Sequence, residues 1–100
     1  MATTTKALAR TAAATSSATL YTVPSATTTV VSNIVVTNTT GTAGTFTLLL
    51  DDVSIATSVP VGANDSTIID LKQVLATAKT IKGFASATTI NFHISGVEIA

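Results

Sequence analysis

The side chains that could carry chemistry in this chain are few and scattered. His93 is the only histidine, and cysteine is absent, so neither a thiolate nucleophile nor a thiolate metal site can form. One imidazole cannot supply the several nitrogen or sulfur ligands that zinc needs. A nucleophilic set can be written from Ser95 or Ser32 with His93 and Asp70. Such a triad requires a serine presented on a sharp turn with aligned partners, and no turn motif of that kind surrounds any serine. Asp51-Asp52 and Asn64-Asp65 offer oxygen atoms to a hard cation, but both pairs fall where the chain should turn, which is reason enough for Asp and Asn. Gly41-Thr42-Ala43-Gly44 runs into an apolar alternation, not the helix start that a phosphate cradle needs. No catalytic residue, cofactor site or metal site is assigned, and the chain is expected not to be an enzyme.

The elements that would have to position these groups have a period of two. Ile90, Phe92 and Ile94 share one face of a strand, which puts His93 on the outer face with Asn91 and Ser95. Phe46, Leu48 and Leu50 point inward from another strand, with Thr45 and Thr47 outward. In Val30 to Asn38, the set Val30, Ile34 and Val36 is expected to face the core, opposite Val31, Asn33, Val35 and Thr37. Asn38 to Gly44 is the turn that returns this strand as a hairpin. Asp51-Asp52 marks a second turn, Pro60 limits the strand after it, and residues 61–65 form a third turn. Leu71, Val74, Leu75 and Ala78 recur at helical spacing, so a helical turn is expected between Asp70 and Lys79. Val97 and Ile99 fall on the wrong parity after Ile94, and a β-bulge at Gly96 is expected to return them to the core.

Six to eight short strands in about 80 residues predict an all-β fold, a small antiparallel β-sandwich or jelly-roll-like barrel. Residues 1–18 contain Thr, Ala and Ser with one large apolar side chain, Leu8, and too little apolar surface to offset their ordering. They are expected as an extended N-terminal arm that orders on assembly, with residues 19–100 as the sandwich domain. Lys6, Leu8 and Arg10 are the expected interface residues of that arm.

Composition narrows the function classes. Charged residues are only 10% of the chain, apolar residues are 46%, and the formal net charge is zero. No field attracts nucleic acid or an anionic membrane surface. No apolar run approaches the roughly 18 residues of a membrane helix, and the N-terminal residues lack the apolar core of a secretory signal. Threonine is the commonest residue, which suits strands. Its pairs Thr27/Thr29, Thr37/Thr39 and Thr45/Thr47 fit an ice-binding ladder locally, but they lack the fixed repeat such a ladder requires. A surface of Thr, Ala and Ser with so little charge suits burial against other subunits.

Leu20-Tyr21-Thr22-Val23-Pro24, then residues 30–38, then Gly41-Thr42-Ala43-Gly44-Thr45-Phe46, and finally Phe92 to Ile99, form a pattern that resembles small virion structural proteins of tailed bacteriophages. The likeness covers most of residues 20–99, with Ser25-Ala26 where that group has Ala-Gly. The resemblance implies a virion-associated β-sandwich with no catalytic residues. The expected function is capsid decoration or cementing of the phage head. The alternatives are a tail, neck or baseplate component and, from another class, a carbohydrate- or receptor-binding module. Expected partners are other virion proteins, the major capsid protein or tail proteins, and further copies of the chain as a homo-oligomer such as a trimer.

Overall fold

A computed structural model describes residues 2–100, and every regular element in it is a strand. In chain order these are β1 (Thr3–Ala12), β2 (Ala18–Thr22), β3 (Thr28–Asn38), β4 (Gly44–Leu50), β5 (Val53–Val61), β6 (Ser66–Leu75), β7 (Thr80–Ala85) and β8 (Ile90–Ile99). They form two four-stranded antiparallel sheets, β1-β8-β3-β6 (sheet 1) and β2-β7-β4-β5 (sheet 2), packed face to face. The chain is therefore a long antiparallel ribbon, with β1 on β8, β2 on β7, β3 on β6 and β4 on β5. The ribbon is wrapped so that β8 also meets β3 and β7 also meets β4.

Alternation fills the space between the sheets. Ile34, Val36, Ile90, Phe92 and Ile94 of sheet 1 meet Phe46, Leu48 and Ile81 of sheet 2, all at 1% exposure or less. Phe46 and Phe92 pack edge to face across the sandwich, with ring centroids 6.3 Å apart. At the far end of β4, Asp51 and Asp52 have φ of 54° and 60°. That two-residue left-handed conformation is the hairpin turn whose twist matches its strands, and Asp tolerates it better than most residues.

Several sequence expectations are corrected. The first is the arm: residues 3–12 form β1, an edge strand paired to β8 from Thr3↔Ile99 to Ala12↔Asn91. Backbone pairing, which Thr and Ala supply as well as larger residues, holds the segment on the domain. Second, no helical turn occurs between Asp70 and Lys79. Asn33 pairs with Asp70 and Val31 with Gln73, so β6 carries one extra residue there. Leu71 and Leu75, four apart, share a face by plain strand alternation, and both pack on the core.

Third, the irregularity expected at Gly96 lies in the neighbours of β8. Alternation within β8 runs unbroken through Gly96, leaving Val97 and Ile99 on the outer, half-buried face. The extra residues are Leu8 in β1 and Ser32 in β3. The Ser32 bulge also reverses the phase of β3, so Val31 is fully buried while Val30 faces outward. Gly96 is required by close approach: a Cβ there would lie 2.3 Å from the Val30 carbonyl oxygen and 2.9 Å from Leu8 Cδ1.

Candidate interaction surface

The register places the sequence-derived candidates apart. His93 is exposed on the outer face of sheet 1, in a cross-strand row that reads Arg10–His93–Val35–Ile68. Ser95 lies in the next row, Ala7–Ser95–Asn33–Asp70, with Asn33 between it and Asp70. The Ser32 hydroxyl donates to the Ser95 carbonyl at 3.1 Å instead of facing the imidazole. Asp51 and Asp52 lie at the opposite end of β5 from Asn64 and Asp65. The first pair is met by ammonium groups, Lys79 at 3.5 Å and Lys82 at 2.7 Å. Among the described residues no cluster of three His, Cys, Asp or Glu side chains could hold a metal ion.

Of the three expected interface residues, the fold unites none. Leu8 is only 7% exposed and packs in its own core over Gly96, so it is not free to anchor a neighbour. Lys6 reaches across to Glu98 at 3.4 Å. Arg10 remains exposed opposite His93.

Glu98 belongs to a polar cluster that sequence reasoning missed. It projects between the sheets, where the Tyr21 hydroxyl donates to its carboxylate and also hydrogen-bonds the fully buried Thr29 hydroxyl at 2.8 Å. The Tyr21 hydrogen bond holds the Glu98 carboxyl below its usual range, burial opposes this, and Lys6 adds to the lowering. Tyr21 is itself shifted upward, first by burial and then by its bond to Glu98. Residues 77 positions apart meet here only because β2 and β8 come together across the sandwich end. No local pattern could have announced it.

The larger feature is the outer face of sheet 1. Beyond the two rows above it carries Thr5–Val97–Val30–Val74, then Thr3–Ile99–Thr28 at one end and Ala12–Asn91–Thr37–Ser66 at the other. Ile68 and Val74 are 70% and 67% exposed, large values for side chains of that size. Arg10 and Asp70 are the only formally charged residues in these five rows.

The sheet edges, by contrast, are poor templates for strand addition. β1 and β6 are bulged, β2 has five residues and a register shift, and β5 contains Pro60 and two shifts. Such interruptions deny a second chain a long straight ladder. Sheet 2 contributes a small cavity of about 160 Å³ beside Phe84, Thr47 and Ser58, with no charged lining residue. Phe84 is the one aromatic ring on an outer face, a single ring where a sugar platform would usually show more. No protein-family model matches the chain, and no curated protein shows significant similarity to it.

Proposed function

We propose that the chain is a non-enzymatic structural protein of a tailed-phage virion, a capsid decoration protein that stabilises the head through subunit contacts. The observation that carries this reading is the broad outer face of sheet 1, apolar and Thr-rich with charge only at its two margins. A contiguous face of that kind is costly to leave in water and gains by being covered. The strand order supports the same reading. Sheets ordered 1-8-3-6 and 2-7-4-5 favour a jelly-roll wrapping, an eight-stranded architecture common among capsid and lectin domains. A lectin-like role is the weaker reading, because Phe84 stands without a second ring.

The test is addition of the purified chain to particles assembled without it. Saturable binding at a fixed copy number, with a rise in the temperature at which heads release DNA, is the expected result. Heads that neither bind the chain nor gain stability would contradict the proposal.

A further inference from the structure

We infer that the outer face of sheet 1 is the contact between two copies of this chain, related by a two-fold axis that runs parallel to the strands between β8 and β3. The inference rests on the assembly part of the reading above, and it adds the partner, the face and the symmetry.

Self-complementarity carries the argument. In a two-fold interface one patch must match itself when rotated. An axis along the strands keeps each cross-strand row in place and reverses it, laying β8 over the second copy's β3 and β1 over its β6. Val97 then meets Val30 of the other copy, Thr5 meets Val74, and Ser95 meets Asn33. In the Thr5 and Thr3 rows apolar residues face apolar or methyl-bearing ones, in the Ser95 row two small polar side chains face each other, and in the His93 row the imidazole falls over Val35 and Arg10 over Ile68. Ala7 falls opposite Asp70, and Arg10, one row along, comes within reach of that carboxylate. The face thus carries Arg10 on one margin and Asp70 on the other, with Lys72 two residues beyond Asp70 on the same strand.

Charge also selects the axis. An in-plane axis across the strands, through the central Ser95 row, would superpose each strand on itself and set Asp70 against its own symmetry mate. Two carboxylates approaching at an interface are disfavoured. The pairing along the strands brings two Arg10–Asp70 pairs together instead, both at the rim, where they set register more than affinity.

The available area suffices. Four strands about 4.8 Å apart, over nine residues rising about 3.3 Å each, give roughly 600 Å² per copy, or about 1,200 Å² in all, the lower bound of stable specific interfaces. The interrupted edges point the same way, since they leave the face as the broad surface open to a second copy.

Sedimentation equilibrium of the full chain tests the inference. A dimer at micromolar concentration is expected, and a chain still monomeric near ~1 mM would overturn it. Val97→Asp should weaken the dimer at least about thirtyfold with an unchanged circular dichroism spectrum, as expected for a central interface position. Val53→Asp, on the other sheet, should leave it intact. Because Val97 is half-buried in the single chain, the charge exchange is the stricter test. Arg10→Asp and Asp70→Arg should each weaken association, and the double exchange should restore most of it. Two single variants without effect, or a double variant no better than either, would overturn the proposed axis. A monomer that still binds heads would refute the dimer and leave the decoration reading standing. A dimer that binds no virion component would do the reverse.

Discussion

Replacing Leu8 by Ala separates an edge strand from a loose arm more sharply than any other single change. The side chain is only 7% exposed and its Cδ1 would lie 2.9 Å from a Cβ built on Gly96, so it fills the space that the glycine leaves. Removing three carbons there forfeits burial and opens a cavity. Buried Leu→Ala changes cost about 2–5 kcal/mol, and because β1 is an edge strand that can settle toward the gap, the lower part of that range, about 2–3 kcal/mol, is expected. In a domain stabilised by roughly 5–15 kcal/mol this is a large share. Urea unfolding at low protein concentration, where self-association adds little, reads the change as a lower midpoint with an unchanged slope. Thr4→Ala, at an exposed position of the same strand, should stay within about 0.5 kcal/mol of the parent. Deleting residues 2–12 should be worse than Leu8→Ala, since it also uncovers β8. A Leu8→Ala variant as stable as the parent, or a deletion variant unfolding at the parental midpoint, would refute the placement of β1.

The other predictions concern the core, the close approach and the polar cluster. Phe46→Ala or Phe92→Ala should cost about 3–5 kcal/mol by the same assay, since each ring loses its edge-to-face partner as well as its burial; under about 1 kcal/mol would mean the strands are misregistered. Gly96→Ala should destabilise by about 1–3 kcal/mol or more, because the Val30 carbonyl is backbone and cannot swing aside, whereas Gly41→Ala, with open space around it, should be close to neutral. Glu98 has its carboxyl lowered in the folded chain, so its stabilisation is present above the ordinary value of 4.5 and is lost as pH falls through the lower folded value. Tyr21 is shifted upward, so its contribution is present below its ordinary value of 10.0 and fades as pH rises through the higher folded value. Tyr21→Phe should flatten both limbs of a stability-versus-pH curve, and a variant whose acid and alkaline limbs match the parent would argue against the cluster.

The strands with clean alternation were legible from residue types alone. Phe46, Leu48 and Leu50 point inward as their spacing requires, and Ile90, Phe92 and Ile94 do the same with His93 outside. The Asp51-Asp52 turn was equally readable, because few residues accept two successive left-handed conformations. The places that resisted reading are those where a neighbour sets the phase. Val30 and Val31 exchange faces through a bulge at Ser32, and Leu71 with Leu75 imitates a helical stripe because residues four apart share a face in a strand as they do in a helix. Gly96 signals an irregularity truly present at that level of the sheet, but the extra residues belong to β1 and β3, and a single strand's sequence cannot tell which of three partners will yield. β1 escaped notice because Thr and Ala gain their place through main-chain pairing that composition does not reveal. The outer face was visible only as a shortage of charge, since its rows join residues from four separate strands.

The claim that this chain is a head decoration protein is tested most directly by labelling it in intact particles and imaging where the label lies. The account predicts label distributed over the head surface in a regular, fixed number of positions. Label confined to the tail, neck or baseplate, or particles that carry none, would contradict it.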